Sequence, residues 1–507
     1  MVILKWIRKP RSRVYKIMED SKPQSTLGRT TIHGTAWRYL AFFFGKLLVF
    51  ISTVVLARLL TPDDFGVVGY AITAITFLDV VSDLGVGSAL IYHDENERTS
   101  TTTFWLGLLF GVGLLCVGWA LAPFAGVYFR DARVVPVTRA LSFIFPINAL
   151  GSTHASVLYK KLAFGRMVFP DLMMAFAKGA VSIVLAVSGF GAWSLIWGQI
   201  IGSLISSATY WFITPWRPSF IFDRQIARGL LEYGFNIVWV DLLGVVLLNL
   251  DYVLVGRYLG SVALGLYTLA FRLPDLLILQ FARVLGQVVF PVFTHMREAP
   301  ESLARAFSQV VRYVSLITIP LGTGLALVAG PLVLTLFTDK WVGAIPVIQA
   351  IAIYALFLSL AYNTGDAYKA QGRPQVITWL GLVRLGLLFP ALWWAVTGAA
   401  SIVVVGWMQV LVAFAAAVLQ LYVAVRLLKL SVRSLLVAVR PALLAGVLMA
   451  ISVKTVLFLS MADPSWLQLL FGIASGGITY GLALWLFERK VVLDVANTMR
   501  AAMTRGG

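Results

Sequence analysis

The chain is 507 residues long, 59% hydrophobic and 13% charged, with a mean hydropathy of +0.87, far from the usage of soluble globular domains. Its formal charge of +18, from 41 Lys and Arg against 23 Asp and Glu, is scattered through short segments rather than gathered on one face, which argues against nucleic acid as a partner. These values exclude a sizeable soluble domain and place the chain in a membrane.

In chain order, residues 1–34 are predicted to be a basic cytoplasmic tail, because Lys5, Arg8, Lys9, Arg11 and Arg13 interrupt any apolar core of signal-peptide length. Apolar runs follow near 35–60, 64–92, 103–126, 136–159, 167–189 and 192–214. Residues 215–234 are polar enough to be a cytoplasmic linker, with an amphipathic helix starting at Asp223. A second set of runs lies near 235–257, 262–294, 306–330, 343–368, 375–397 and 399–426. Residues 428–487 comprise an interfacial segment and two more runs, near 439–460 and 466–487, and 488–507 is a second cytoplasmic tail. Backbone in hydrocarbon must satisfy its own hydrogen bonds, so runs of about twenty apolar residues are spanning helices. The expectation is an all-α polytopic membrane protein of about fourteen spans: two six-helix lobes, 35–214 and 235–427, plus two C-terminal helices.

Most of the Lys and Arg fall on one side if both termini are cytoplasmic, and the segments on the other side are short and nearly neutral. An internal echo supports two lobes: RLLTPDDFGVVGYA from Arg58 and RYLGSVALGLYTLA from Arg257 share Arg, Leu, Gly and Ala at the same offsets. Each copy joins the first and second helix of its lobe, as a parallel duplication about a pseudo-twofold axis along the membrane normal requires. Arg426, Lys429, Arg433 and Arg440 fall on one arc of a helix wheel, which suits a helix tip lying among anionic lipid headgroups; ordinary topology charges are the plainer alternative.

Charges inside spans cost about 2.5–3.5 kcal/mol each on insertion scales, so they face partners or a wet cavity. The basic set is Lys46, Lys178, Arg272, Arg283, Arg384 and Lys454, with Arg58 near an outer end; the acidic set is Asp79, Asp83, Asp171, Asp241, Asp251, Asp275 and Asp366. Arg272 and Arg283 share one stripe of a regular α-helix, Asp275 is placed to pair with Arg272, and Pro274 should bend that helix. Asp79 and Asp83 share a face, and their repulsion favours a bound cation, a proton or a basic neighbour. Lys46, Arg58, Lys178, Arg272, Arg283 and Arg384 are candidate substrate-binding groups, with Asp79, Asp83, Asp251 and Asp275 as candidate ion-coupling groups. The bland reading of all of them is interhelical ion pairing.

Other chemistries lack their residues. The sequence has no phosphate-binding GxxxxGK[ST] loop, HExxH, paired-Cys or GxSxG motif, and the single cysteine is Cys116. His33, His93, His154 and His295 are too far apart in sequence to suggest a metal site, and no cofactor is implied. The pairs Gly107/Gly111 and Gly198/Gly202 signify close helix packing.

The run ARLLTPDDFGVVGYAITAITFLDVVSDLGVGSALI (57–91) resembles the polysaccharide exporter or flippase family, in its lipopolysaccharide, capsule and exopolysaccharide branch. The resemblance extends through GFGAWSLIWGQIIGSL (189–204), NLDYVLVGRYLGSVALGLYTLAFRLPDL (249–276), FTDKWVGAIPVIQ (337–349) and AQGRP (370–374), and covers roughly 31–427. It implies the multidrug, oligosaccharidyl-lipid and polysaccharide transporter superfamily, with two lobes in a V around a central cavity. It further implies movement of an undecaprenyl-diphosphate-linked oligosaccharide from the inner to the outer leaflet of a bacterial cytoplasmic membrane. Glycosyltransferases and a polysaccharide polymerase would act before and after it, and cavity arginines would hold the diphosphate, with Lys46, Arg272 and Arg283 in that role here. Two alternatives stand beside this reading: a cation-coupled drug or metabolite antiporter of the same superfamily, which the intramembrane Lys and Arg disfavour, and a membrane glycan polymerase or ligase, which the short outer connections disfavour.

Overall fold

The computed structural model describes residues 44–82, 97–161 and 163–489, and every regular element among them is helical. The first set is α1 (44–59), α2 (Pro62–Ser82), α3 (Glu97–Phe129), the short α4 (Val134–Leu141), α5 (Ile144–Lys160), α6 (Phe164–Val187) and α7 (Ala192–Ile213). The second is α8 (Arg224–Pro274), a π turn at Asp275–Leu279, α9 (Gln280–His295), α10 (Pro300–Leu336), a 3-10 segment at Asp339–Ala344, α11 (Ile345–Tyr362), the short α12 (Thr364–Ala370), α13 (Gln375–Thr397) and α14 (Ile402–Leu427). Helices α15 (Val432–Leu459) and α16 (Ser465–Phe487) follow.

Ten helical stretches among the described residues are long and apolar enough to cross a membrane, and one of them, Asp241–His295, holds two expected spans. Helices α1, α2 and α7 occupy the places of the first, second and sixth. The chain is therefore an all-α multi-pass membrane protein with a helix at each of the fourteen expected positions. Large apolar side chains such as Leu109, Phe124, Trp379, Leu436 and Leu486 point outward, as they must where the surrounding medium is hydrocarbon.

The linker is bolted to the first lobe. Trp105 of α3 donates its indole N–H to the Ser219 carbonyl at 2.9 Å, and the Asp223 N–H donates to Thr102 Oγ1 at 3.1 Å. The Asp223 carboxylate then caps α8 by accepting from the N–H groups of Gln225 and Ile226. The helix begun there does not stop at a separate linker element; it runs unbroken to Gly260, whose φ of 86° lies in the left-handed region that glycine tolerates. Gly260 divides α8 into arms 224–259 and 261–274, the seventh span and the first part of the eighth.

The lobes meet at the end opposite the linker. Helix α2 crosses the second arm of α8 so closely that a Cβ on Gly66 would lie 1.8 Å from the Ser261 carbonyl oxygen, and one on Gly265 would lie 1.8 Å from the Pro62 carbonyl oxygen. Ala57, Tyr70, Phe129 and Val134 of the first lobe join Leu254, Leu264, Trp341 and Val347 of the second in one buried apolar cluster. Gly111, Gly198 and Gly202 do sit against neighbouring helices as their spacing suggests, whereas Gly107 has open space beside it.

Helices α15 and α16 pack on each other and on α10, and Arg312 of α10 pairs with Glu488 just beyond α16. The single basic arc expected over Arg426–Arg440 is not one helix. Lys429 takes a left-handed φ of 52° and Ser431 caps a new helix by accepting from the Ser434 N–H, so Arg426 belongs to α14 while Arg433 and Arg440 belong to α15.

Candidate functional site

The site is built where α1, α2, α6, α7 and the second arm of α8 face one another. They enclose a cavity of about 140 Å³ lined by Ser52, Thr53, Lys178, Ser182, Gln199, Thr268 and Arg272 among apolar neighbours. Glycine makes the close approach possible: Gly198 and Gly202 of α7 let that helix lie on Lys178 and Ser182 of α6. That approach puts the Lys178 ammonium in hydrogen-bond contact with Gln199 Oε1. Among the described residues no carboxylate forms an ion pair with Lys178 or Arg272.

Toward the linker end the charge field continues. Asp275, Arg283, Arg272 and Asp171 lie within electrostatic range of the Lys46 ammonium, so α1, α6, α8 and α9, with the π turn, contribute to one electrostatic cluster. Within it Asp275 pairs with Arg283, not with Arg272 as the three-residue spacing suggests. The π turn at Asp275–Leu279 is the reason: a π turn inserts about one extra residue, so an eight-residue separation acts like seven, which is two α-helical turns and one face. The shared Arg272/Arg283 stripe assumed an uninterrupted α-helix; the π turn lies between the two residues, and both still act on Lys46. Pro274 sits at the turn and has no N–H to give the ladder.

Two candidates lie elsewhere. Arg58 points away from the cavity: its guanidinium donates to the carbonyls of Leu336 and Thr335, both at 2.7 Å, where the lobes meet. Arg384 is buried inside the second lobe and donates to Tyr354 Oη at 3.1 Å. Nearby, Asp251 is 2% exposed; its carboxylate accepts from Tyr267 Oη at 2.8 Å, Gln409 Nε2 at 2.9 Å and the Tyr252 N–H at 3.0 Å, with no ion pair to a described residue. The opposite lone-pair side of that amide, Gln409 Oε1, is buried without a hydrogen bond. Asp79 is exposed on the last turn of α2, and Asp83 lies outside the described residues.

Three polar groups, one in the cavity and two outside it, were not singled out by the sequence. Gln199 and Gln409 each interrupt an apolar run, and the cost argument applied to charges holds in weaker form for amides. Arg257 carried a signal in the echo itself, where it pairs with Arg58. Among the described residues no group of His, Cys, Asp and Glu could hold a metal ion.

Residues 55–346 match the model of the family described as "Polysaccharide biosynthesis protein". The succinoglycan biosynthesis transport protein ExoT of Rhizobium meliloti (strain 1021) is 25% identical over 501 residues, covering 94% of this chain and 97% of that protein. The solved structure "Lipid II flippase MurJ, inward closed conformation" superposes with a TM-score of 0.72 at 13% identity, over 90% of this chain and 99% of that one. An inward-facing multidrug resistance MATE family transporter of the MOP superfamily superposes at 0.62 and 15% identity, over 76% of this chain and 94% of that one. The two structural likenesses concern the fold.

Proposed function

Because this chain belongs to the polysaccharide biosynthesis protein family, we propose that it is a flippase carrying an undecaprenyl-diphosphate-linked oligosaccharide from the inner to the outer leaflet of a bacterial cytoplasmic membrane. Both termini then lie in the cytoplasm, the linker end is the inner end, and the end where the lobes meet is the outer one. The observation that supports this reading is the cavity between the lobes, into which Lys178 and Arg272 project without an ion-pair partner among the described residues. A charge left so in a low-dielectric site is costly unless a counter-ion arrives. A diphosphate is such a counter-ion, and Arg presents a planar fork that matches phosphate oxygens.

Passage follows from the same physics. A diphosphate and its glycan cannot cross about 30 Å of hydrocarbon unaided, whereas a polar, positive cavity replaces part of their hydration while the lipid tail stays in the bilayer. The enclosed volume accommodates a headgroup fragment rather than an oligosaccharide, so transport requires the lobes to part by alternating access. For ion coupling our choice is Asp251. On taking up a proton its carboxyl becomes a donor, and rotation of the Gln409 amide would offer Oε1 as the acceptor for it.

The deciding experiment is reconstitution in vesicles with a fluorescent lipid-diphosphate sugar, scoring leaflet-to-leaflet passage. Arg272→Gln is expected to slow passage about 10- to 100-fold, the worth of one charge-assisted hydrogen bond to phosphate. Wild-type rates in that variant would remove the proposed role of the cavity.

A further inference from the structure

The two arginines of the internal echo do the same thing on opposite sides of the molecule. Arg58, at the end of α1, donates to the carbonyls of Thr335 and Leu336, the last two residues of α10 in the other lobe. Arg257, in the corresponding place ahead of Gly260, donates to the carbonyl of Tyr128 at 2.5 Å and reaches that of Val127 at 3.5 Å, in the last turn of α3. Its guanidinium also lies 5.5 Å from the centre of the Tyr128 ring. The last carbonyls of a helix have no partner inside it and carry the negative end of its dipole, so each arginine supplies both donors and charge where both are wanted.

The backbone contact between them repeats the symmetry. The offset that carries Arg58 to Arg257 also carries Pro62 to Ser261 and Gly66 to Gly265. Gly66 rests on Ser261, and Gly265 rests on Pro62. One contact is thus the image of the other, the isologous arrangement of a twofold interface, here folded into a single chain. Further links cross the lobes without a counterpart: Ser261 Oγ donates to Asp63, Lys340 Nζ to the Arg58 carbonyl at 3.0 Å, and Trp341 Nε1 to the Ala57 carbonyl at 2.8 Å. On the first lobe Arg133 holds Asp63 and Asp131 together.

We propose that Arg58 and Arg257 form a paired latch that holds the lobes shut at this end, and that both caps must release before the cavity opens there. The inference rests on the alternating-access reading above, and it assigns these two residues to the timing of opening rather than to substrate. Each cap satisfies only carbonyls that bulk water can also satisfy, so the latch opens at the membrane surface without stranding a polar group in hydrocarbon. Because each guanidinium belongs to one lobe and its carbonyls to the other, no rocking motion separates the lobes with either cap intact.

The test reads conformation directly. With Cys116 replaced by Ser, spin labels at Ala132→Cys in the first lobe and Val342→Cys in the second report the separation at this end in the full chain in nanodiscs. The Arg58→Gln/Arg257→Gln double variant should raise the ratio of separated to closed populations by about tenfold or more. Each single variant should give a smaller shift, and Arg228→Gln, an exposed residue at the linker end, should give none. Arg58→Lys keeps the charge but loses the two-pronged contact, and is expected to fall between wild type and Arg58→Gln. A double variant that is monodisperse, melts like wild type and keeps the wild-type distance distribution would overturn the latch. A shift in distances in the double variant, together with no passage of lipid-linked sugar by the wild-type protein, would uphold the latch and refute the substrate assignment instead.

Discussion

Two regions of the molecule, the cavity and the core of the second lobe, treat intramembrane charge in opposite ways. In the first, Lys178 lines a cavity beside Gln199 with Ser52, Thr53 and Ser182 around it. In the second, Asp251 and Arg384 are sealed among Tyr267, Tyr354 and Gln409, within the larger apolar cluster of the molecule. A charged group buried among hydrogen-bonding side chains is held by its neighbours, whereas one facing a void is available to a ligand. Duplication fixed the topology, and side-chain surroundings then separated the uses.

That contrast can be broken by exchanging the type of loss. The largest effect on stability is expected from Asp251→Leu, which leaves Tyr267 Oη and the Gln409 amide without their acceptor; at about 1–3 kcal/mol for each stranded group, the loss is about 2–6 kcal/mol. Thermal unfolding in detergent measures it, and a melting temperature like that of wild type would show that the second lobe tolerates an unsatisfied centre. Lys178→Met should do the reverse: stability within about 1 kcal/mol of wild type, because a flexible apolar chain of similar length fills the space, with passage of lipid-linked sugar slowed about tenfold. Unchanged passage would place Lys178 among structural residues and erase the contrast.

A smaller effect sharpens the picture at the lobe-contact end. The Arg133 guanidinium, 2.8 Å from Asp131, holds the Asp131 carboxyl below the usual carboxylate range. A carboxylate whose folded pKa is depressed stabilises the fold above its unfolded value of about 3.9 and loses that contribution as pH falls through the folded value. The melting temperature should therefore be level from about pH 8 to about pH 5 as far as this group is concerned, and decline below about pH 4. Asp131→Asn should flatten that decline, and an identical acid limb in the variant would mean the pair contributes nothing measurable.

How far the sequence reached can be judged residue by residue. The spans were legible because each must satisfy its hydrogen bonds by itself, which makes helix placement a local property of apolar runs. The echo at Arg58 and Arg257 was visible too, though not its use: an arginine near an outer helix end reads equally as a topology charge, a ligand group or a cap. The pairing of Asp275 with Arg272 failed because the π turn brings Arg283 round to Asp275 instead, and nothing in the composition of Asp275–Leu279 announces that turn. The arc from Arg426 to Arg440 failed likewise at Lys429, a residue with no special preference for a left-handed φ.

What the sequence alone determined was the class of molecule, a helix at each expected span among the described residues, and the existence of two related halves. Length and hydrophobicity act over one helix at a time, and the bilayer enforces them. Which charge meets which partner was decided only in three dimensions. Asp275 chose Arg283, Arg58 went to the far lobe, and Lys178 turned into a cavity, because a side chain's environment is set by helices distant in the sequence and by glycine contacts that bring those helices together.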